Sequence, residues 1–501
     1  MLPWTIYLSF LGAAALLLIP ARRASAARGV ALAITLVTGV CAFGGGLAYR
    51  PGAELLTLTR VPWIPALGIE YFLAVDGINL TLVFLTALAA VAGVLFSWNV
   101  TDRPREFFAL YLTLIGAVYG VFLSFDLFLL FFFYEVAIIP KYFLIAIWGS
   151  TRREYGAMKL VLYSFLGSAL VFLGLLAVYV GALRATGTGT FDLQALAQVA
   201  YPATFQRWVF PLMFVGFGVL AGLWPLHTWA PTGHVAAPTA ASMLLAGVVM
   251  KLGAYGALRA GVALFPEGVR TWQEPLAALA VIGIVYGALV ALVQRDFKFV
   301  IGYSSVSHMG FVMLGLVTLH EVGVSGAVLQ MFSHGIIAGL LFGVVGRMVY
   351  DRAHTRELEE LAGLRLSRRL PFAAATFVVA SLASMGLPGF SGFVAEISVL
   401  IGAWQSLPLA VGVTGIGIVL GVAYLLRAMQ HGFFAGGEAG EINPPGSAVP
   451  PLPPITWPEK VGAGMLLLTT VVIGLFPRLL LDYIVPSVQP LVSAWKQGGG
   501  S

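Results

Sequence analysis

Charged residues are scarce in this sequence. Only 50 of its 501 residues are Asp, Glu, Lys or Arg, a share of 10%, whereas an average soluble domain carries roughly 25%. Hydrophobic residues make up 59% of the chain, and the mean hydropathy is +0.94. This composition leaves too few charges to cover the surface of a soluble fold. It also excludes disorder, which requires low hydrophobicity and high net charge. The sequence therefore predicts an integral membrane protein.

Cysteine and cofactor-binding motifs are also nearly absent. The single cysteine, Cys41, excludes a disulfide, a CxxC pair or a thiolate metal site within the chain. No Gly-rich phosphate loop, dinucleotide fingerprint or HExxH motif occurs, so no bound cofactor is expected. The net charge of +6 comes from scattered basic residues and does not predict a nucleic-acid partner.

Long apolar runs fill most of the sequence. A helix that crosses a bilayer needs about 20 mostly apolar residues, and fourteen such runs occur. They lie near 3–20, 29–48, 78–98, 107–124, 126–148, 157–182, 208–224, 238–260, 275–294, 299–318, 323–348, 371–402, 408–430 and 462–483. The predicted fold class is an all-α polytopic membrane protein with about 14 transmembrane helices. The longest polar stretches, 183–207 and 431–459, are predicted to be loops.

Basic residues in the loops predict the orientation. Arg22, Arg23 and Arg28 follow the first run and no basic residue precedes it, so this run is predicted to be a retained helix rather than a signal peptide. With the N-terminus outside, 18 basic residues fall on the cytoplasmic side and 8 on the other side. This positive-inside bias predicts that both termini lie outside a bacterial inner (cell) membrane. Two lysines, Lys141 and Lys251, belong to neither group.

Four charged residues lie at membrane depth: Glu135, Lys141, Lys251 and Glu396. A charge within a span costs roughly 2.5–3.5 kcal/mol on insertion scales, so it persists where it pairs, faces water or carries protons. Each of the four also admits a purely structural interpretation, as an ion pair or as a snorkelling end residue. That interpretation is most serious for Lys141, which lies near the end of its run.

Histidines form a second set of candidates. His308 and His334 lie inside apolar runs with serines nearby, and imidazole exchanges protons near neutral pH. The alternative is a neutral histidine hydrogen-bonded between helices. His227 and His234 lie in a loop-like segment and are interpreted as structural. No carboxylate or second histidine stands at ligand spacing in the sequence, so no metal site is expected.

Glycine and proline interrupt two of the runs. Run seven is broken at Gly222–Pro225 and run twelve at Gly386–Gly389, and paired interruptions of this kind are typical of inverted-repeat transporters. We predict four segments on this basis. These are 1–100 with helices one to three, 101–262 with helices four to eight as the first repeat, 263–435 with helices nine to thirteen as the inverted second repeat, and 436–501 with a loop and helix fourteen.

Six motifs carry a resemblance to a known family. They are VDGINL at 75–80, YEVAIIPKYFLIAIWG at 134–149, HTWAPTGHVAAPTAAS at 227–242, LLAGVVMKLGAYG at 244–256, YSSVSHMGFVMLG at 303–315 and GLPGFSGFVAEI at 386–397. Over about residues 70–430 the chain resembles subunit M, called chain 4 in mitochondria, of proton-pumping NADH:quinone oxidoreductase (respiratory complex I). Mrp-type cation/proton antiporter subunits and the membrane arms of hydrogenase complexes are the alternatives within the same superfamily.

The resemblance implies roles for the candidate residues. Glu135 matches the family's span-five glutamate, Lys251 its central span-eight lysine, and Glu396 the span-twelve glutamate that passes protons onward. His308 and His334 match relay positions. The resemblance also implies that NADH, FMN, Fe–S clusters and quinone belong to partner subunits, and that L-, N- and K-type subunits adjoin this chain in the bilayer.

One position departs from the family pattern. The family usually has a lysine on span seven, seven residues before the histidine of the HTW motif, but here that residue is Leu220. Lys141, one residue after Pro140, stands where the family is commonly uncharged. Our hypothesis is that Lys141 replaces the missing lysine as the charge partner of Glu135. Alternatively, Lys141 pairs with a carboxylate of a partner subunit. A structural membrane anchor without a proton path is the remaining functional alternative.

Overall fold

Helices dominate the computed structural model, which describes residues 1–20, 23–435 and 451–497. Within these residues twelve helices are long and apolar enough to cross a membrane, and their bounds are Ala24–Ala48, Gly77–Phe96, Pro104–Leu123, Leu127–Trp148, Arg153–Thr186, Ala203–Ala221, Thr239–Val262, Pro266–Val293, Phe297–Leu316, Glu321–Ala353, Pro408–Phe434 and Trp457–Leu475. Three shorter apolar helices are Pro3–Leu18, Pro371–Ser384 and Ser391–Trp404. The first of these matches predicted run one, and the other two together match run twelve. We number the spans one to fourteen accordingly, and the predicted all-α polytopic fold is confirmed.

A β-hairpin precedes span three, and the sequence analysis did not anticipate it. Strand β1 (Leu56–Ile64) pairs antiparallel with strand β2 (Ile69–Val75). The tight connection ends at Gly68, whose φ of +63° lies in the left-handed region that glycine adopts without strain. We call the side of the molecule that carries these strands the hairpin face. Successive spans alternate in direction, so spans three and five begin at this face and span eight ends there. The other side is called the opposite face.

Two spans are interrupted where the sequence places Gly and Pro. Span seven stops at Ala221 and helical structure resumes at Trp229, while span twelve stops at Ser384 and resumes at Ser391. Gly222 and Gly386 follow these stops with φ of +83° and +73°, conformations that an L side chain rarely adopts. These breaks free backbone groups in the interior of the bundle, where polar side chains can use them.

Spans eight and eleven have wider turns. Leu245–Val249 and Ala257–Val262 in span eight, and Gly343–Tyr350 in span eleven, are π-helical. Such wide turns are frequent at functional sites because they displace the helical register. Both spans are almost wholly buried and form the core of the bundle.

The same supersecondary motif occurs twice, once at each face. At the hairpin face Asp126 caps the start of span five, and its segment forms a short antiparallel bridge with Asp192 after span six. At the opposite face Asp296 caps the start of span ten, and its segment bridges Glu357 after span eleven in the same way. The motif therefore recurs five spans later at the other face.

The C-terminal region differs from the prediction. Span fourteen was predicted over 462–483, but this helix ends at Leu475 and a further helix, Arg478–Gln497, follows it. The further helix packs on span three, where Ser487 Oγ accepts a 2.8 Å hydrogen bond from Gly77 N. The predicted end of span fourteen is wrong because the apolar run continues across Phe476 and Pro477, where the helix is interrupted. Most of the predicted loop 431–459 lies outside the described residues.

Three basic residues that were counted as loop charges are buried. Arg259 lies inside span eight, Lys298 inside span ten and Arg352 at the end of span eleven. Arg352 Nη2 donates to Glu459 Oε2 at 2.7 Å, and Arg347 Nε lies 2.6 Å from Glu459 Oε1. This buried cluster fastens span fourteen to span eleven. The loop interpretation of these residues is therefore corrected.

Candidate functional site

Lys251 lies at the centre of span eight and is completely buried. Its Nζ donates to the carbonyl of Ala246 and lies 2.8 Å from Nδ1 of His334 on span eleven. The wide turn at Leu245–Val249 brings the Ala246 carbonyl within reach of the ammonium. The structure thus joins two residues that are 83 positions apart.

Glu396 forms a second polar group with His308. Nδ1 of His308, on span ten, lies 2.8 Å from Glu396 Oε1, and its Nε2 lies 2.9 Å from Ser384 Oγ. Gln330 Nε2 donates to the same carboxylate at 3.0 Å. Ser384 is the last helical residue before the break in span twelve, and Glu396 follows the break. The broken helix therefore supplies two of the four members of this group.

The two histidines connect these groups. The ring centroids of His308 and His334 are 5.4 Å apart, and the rings are inclined by 30°. A cavity of about 10 Å³ is bordered by both imidazoles and by Glu396, which is room for about one water molecule. Nε2 of His334 has no hydrogen-bond partner among the described residues. Lys251, His334, His308 and Glu396 therefore form one continuous polar line through four spans.

Glu135 lies on a different part of the bundle. It is half-buried near the end of the first segment of span five and accepts a hydrogen bond from Ser168 on span six. Ser164, one turn away on the same face of span six, is buried, and its hydroxyl has no partner among the described residues. The carboxylate thus faces a hydroxyl-lined part of span six.

Lys141 is buried in the second segment of span five, which begins after Ala137. Its Nζ has no hydrogen-bond partner in the described part of the chain. Within the described residues no ion pair joins it to the Glu135 carboxylate, so any interaction between the two charges acts over a longer distance. Leu220, the residue at the family's lysine position, is buried as well. A snorkelling lysine would reach water, so burial speaks against that interpretation of Lys141.

Lys298 was not singled out from the sequence, and His234, interpreted there as structural and loop-like, lies in the helix Trp229–Ala236. Lys298 Nζ donates to Ala237 O at 3.1 Å and borders a cavity of about 290 Å³ that opens at the opposite face. His234 is buried with neither ring nitrogen hydrogen-bonded to a described residue, and it lies within electrostatic range of both Lys251 and Lys298. A lysine two residues after the helix-capping Asp296 gave no local signal of burial.

An ionic cluster stands at the hairpin face just before span five. Arg60 on β1 contacts Glu70 at 2.6 Å and Asp192 at 2.8 Å. Asp126 is buried beside them and accepts hydrogen bonds from the backbone N–H groups of Glu70 and Leu129. Burial raises the pKa of the Asp126 carboxyl to about 6, although these backbone donors act in the other direction.

This arrangement suits proton transfer. Within the described residues no group of three His, Cys, Asp or Glu side chains is placed to hold a metal ion. In the sequence no carboxylate stands at ligand spacing beside the candidate histidines. In the fold, however, Glu396 contacts His308. Lysine, imidazole and carboxylate groups in hydrogen-bond reach can each accept a proton from one neighbour and give it to the next.

Comparison with known proteins agrees with this architecture. A family profile described as "NADH:quinone oxidoreductase/Mrp antiporter, TM" matches residues 124–421. The chain therefore belongs to this family of antiporter-like membrane proteins, and it is a multi-pass membrane protein.

Two curated relatives are similar to this chain over most of their length. The chain is 38% identical over 491 residues to "NAD(P)H-quinone oxidoreductase chain 4 1" of Synechococcus sp., with 95% of this chain and 90% of the relative covered. It is 39% identical over 444 residues to "NAD(P)H-quinone oxidoreductase chain 4 3" of Picosynechococcus sp., with 86% and 80% covered.

Solved structures show the same fold. A chain of respiratory complex I from Thermus thermophilus superposes with a TM-score of 0.87 at 27% identity, and both chains are covered completely. A chain of the Mrp complex from Dietzia sp. gives a TM-score of 0.86 at 21% identity, with 99% of this chain and 98% of the other covered. The second likeness concerns the fold alone.

Proposed function

We propose that this chain is a proton-translocating, chain 4-type membrane-arm subunit of an NAD(P)H–quinone oxidoreductase. The observation that carries the proposal is the buried line from Lys251 through His334 and His308 to Glu396. The chain is a non-redox subunit of the enzyme complex. NADH, FMN, Fe–S clusters and quinone are held by other subunits, and L-, N- and K-type subunits adjoin this chain in a bacterial cell membrane.

The chemistry of the line is stepwise. Protonated Lys251 gives its proton to Nδ1 of His334, which is 2.8 Å away, and His308 passes a proton to the carboxylate of Glu396. The step between the histidines crosses the small cavity that both rings border. Each member is buried, so a change in a neighbouring charge alters its protonation strongly. The driving force comes from redox chemistry elsewhere in the complex.

Protons enter from the opposite face, which we place in the cytoplasm. The cavity of about 290 Å³ reaches Lys298, and His234 is near enough to both Lys298 and Lys251 for their charges to act on it. The sequence places 18 basic residues at this face against 8 at the other, and without the buried Arg259, Lys298 and Arg352 the excess is still 16 against 7, which supports the orientation with both termini outside.

Glu135 and Lys141 act as the switching pair. When their charges are close, each stabilises the ionised form of the other, and separation removes that stabilisation. The hydrogen bond from Ser168 holds Glu135, whereas Lys141 has no such partner in the described residues and is free to respond. In this proposal Lys141 takes the role of the lysine absent at Leu220.

The proposed organisation has two inverted repeats, 101–262 and 263–435, between the segments 1–100 and 436–501. The paired breaks of spans seven and twelve support it, as do the bridges Asp126–Asp192 and Asp296–Glu357 at the two faces. In this arrangement the first repeat holds the pair on span five together with Lys251. The second repeat holds the two relay histidines and Glu396.

A direct test replaces the central lysine. In the intact complex reconstituted into vesicles, we expect Lys251→Met to reduce proton pumping per quinone reduced by about tenfold or more, since a positioned acid–base group typically contributes about 10²–10⁴-fold to proton transfer. Lys460→Met, at the opposite face, is the matched control. Unchanged pumping by an assembled Lys251→Met complex would favour a structural anchor instead.

An Mrp-type cation/proton antiporter subunit is the second candidate. The family profile spans both classes, and the fold of the Mrp chain is nearly as similar as that of the complex I chain. The curated relatives of 38–39% identity carry the oxidoreductase name, and they favour the first candidate. Co-purification with redox subunits distinguishes the two.

A further inference from the structure

Span eight carries a second buried charge toward the hairpin face. Lys251, Tyr255 and Arg259 are spaced four residues apart, so they follow one another along one side of the helix over about 12 Å. Lys251 is the proton donor of the proposed line. Arg259 lies where span eight approaches the hairpin face, and it is only 7% exposed.

The Arg259 guanidinium is held on several sides. It forms a buried ion pair with Asp76, the residue that caps span three. The guanidinium carbon lies 5.1 Å from the ring centre of Phe125 and 5.3 Å from that of Tyr255. Tyr255 is fixed in turn, because its hydroxyl donates to Phe122 O at 3.0 Å. A cation in this position has little freedom to move.

We propose that Arg259 is an electrostatic barrier that closes the direct route from Lys251 to the hairpin face. The inference rests on the proposed proton-translocating function and adds a residue that sets its direction. A fixed guanidinium repels a proton that approaches along the Tyr255 side of span eight, as fixed arginines do in pores that exclude cations. A proton on Lys251 then leaves sideways to His334, which is 2.8 Å away.

Coulomb's law gives the magnitude of the repulsion between the Arg259 charge and a proton at Lys251. At an effective dielectric constant of about 20, a unit charge about 12 Å away contributes about 1.4 kcal/mol, which corresponds to about tenfold in rate. The Asp76 carboxylate offsets part of this repulsion. We therefore expect loss of the Arg259 charge to raise passive proton leak between about threefold and about tenfold.

The experiment measures passive leak, which needs no electron transfer. Vesicles that contain the intact complex are given a pH gradient at zero membrane potential, and the decay of the gradient is followed with an entrapped pH dye. We expect faster decay with Arg259→Leu and Arg259→Gln, and decay like the wild type with Arg259→Lys. Failure of the proposed function is measured separately, by the pumping of Lys251→Met.

Asp76→Asn separates charge from packing. Asparagine also caps a helix, and this variant leaves the guanidinium in place without its counter-charge. A barrier made by charge then leaks less than the wild type, because the guanidinium charge is no longer offset, whereas a seal made only by packing leaks like the wild type, because asparagine has nearly the shape of aspartate. Leak in Asp76→Asn equal to or above that of the wild type would therefore overturn the proposal.

Arg352→Leu is the control for general damage. It removes another buried ion pair, with Glu459, at the opposite face and away from the Lys251 side of span eight. We expect this variant to lower stability without raising leak. The proposal is overturned if Arg352→Leu leaks as much as Arg259→Leu, or if assembled Arg259→Leu and Arg259→Gln complexes both leak like the wild type.

Discussion

At the scale of single residues, burial distinguishes the charges that matter. Most basic residues lie at the faces of the bundle, but Lys141, Lys251 and Arg259 are among the few that are buried. Each is held in a different way, because Lys251 contacts His334, Arg259 contacts Asp76, and the Nζ of Lys141 contacts no described hydrogen-bond acceptor. The energetic cost of burying a charge implies a role for each.

The role of Lys141 can be tested by moving the lysine from position 141 to position 220. We expect Lys141→Met to reduce pumping to about a tenth of the wild-type rate or less, as for other positioned acid–base groups. Restoring the family's usual arrangement with Leu220→Lys in the same chain should recover a substantial part of the lost pumping. Proton uptake per quinone reduced is the measurement.

Two results would contradict the role of Lys141. One is near-normal pumping by the assembled Lys141→Met complex. The other is an equal loss in Lys141→Met with and without Leu220→Lys, since that would show that position 141 matters for packing or for a partner subunit rather than as the charge partner of Glu135.

The buried carboxyl group of Asp126 leads to a prediction of how the stability of the folded chain depends on pH. Its pKa in the folded chain is about 6, above the ordinary value of 3.8, so the folded state binds the proton more tightly than the unfolded state. The resulting stability is fully present below about pH 4 and is lost as the pH rises through about 6. At 1.36 kcal/mol per pKa unit the loss amounts to at most about 3 kcal/mol.

Asp126→Asn is the corresponding variant. It keeps a capping side chain but cannot ionise. We expect its melting temperature to fall less between pH 4.5 and 7.5 than that of the wild type, by about the equivalent of 1–3 kcal/mol. Parallel pH profiles of the two proteins, measured by thermal unfolding in detergent, would show that Asp126 is not the group responsible.

At the scale of helices, sequence reasoning succeeded where the chemistry is local. Apolar runs predict spans because a bilayer admits only fully hydrogen-bonded segments, and Gly222 and Gly386 lie at the ends of helices in spans seven and twelve. It failed for the β-hairpin at 56–75, a mostly apolar segment that Arg60, Pro62, Pro65, Gly68 and Glu70 interrupt between two longer apolar runs. It also failed at Leu475, where apolar composition continues through the break.

Contacts between helices could not be predicted from the sequence. Neither the 2.8 Å contact of Lys251 with His334 nor that of His308 with Glu396 has a local signature. These partners are 83 and 88 residues apart in sequence. The residue types were predicted, and their arrangement into one line required the packing of spans eight, ten, eleven and twelve.

The attachment of span fourteen to the rest of the bundle can be tested at Glu459. Glu459 is 1% exposed and joins Arg347 and Arg352 of span eleven. We expect Glu459→Gln to destabilise the chain by about 3–5 kcal/mol, since it leaves buried guanidinium groups without their counter-charge. The melting temperature of the purified complex is the measurement.

The matched control for Glu459 is an exposed pair. Asp482 lies 3.4 Å from Arg478 on the C-terminal helix, with side-chain exposures of 48% and 86%. We expect Asp482→Asn to change stability by less than about 1 kcal/mol. Equal effects of the two substitutions would show that the Glu459 cluster does not fasten span fourteen.

At the scale of the whole molecule, the buried polar line runs from Lys251 at the centre of span eight to Glu396 in the second half of the chain. The pair on span five lies apart from this line. A cavity of about 290 Å³ at the opposite face reaches Lys298, and the ion pair of Arg259 with Asp76 lies where span eight approaches the hairpin face. A scarcity of charge thus leaves a small set of buried groups, most of them with an identifiable neighbour.

His334 is the one described side chain that links Lys251 to the group around Glu396, so the proton-to-electron ratio of the intact complex with His334→Leu tests the central claim most directly. We expect this ratio to fall below that of the wild type while quinone reduction continues, because the line is cut between Lys251 and His308. An assembled His334→Leu complex with an unchanged proton-to-electron ratio would contradict the proposed route.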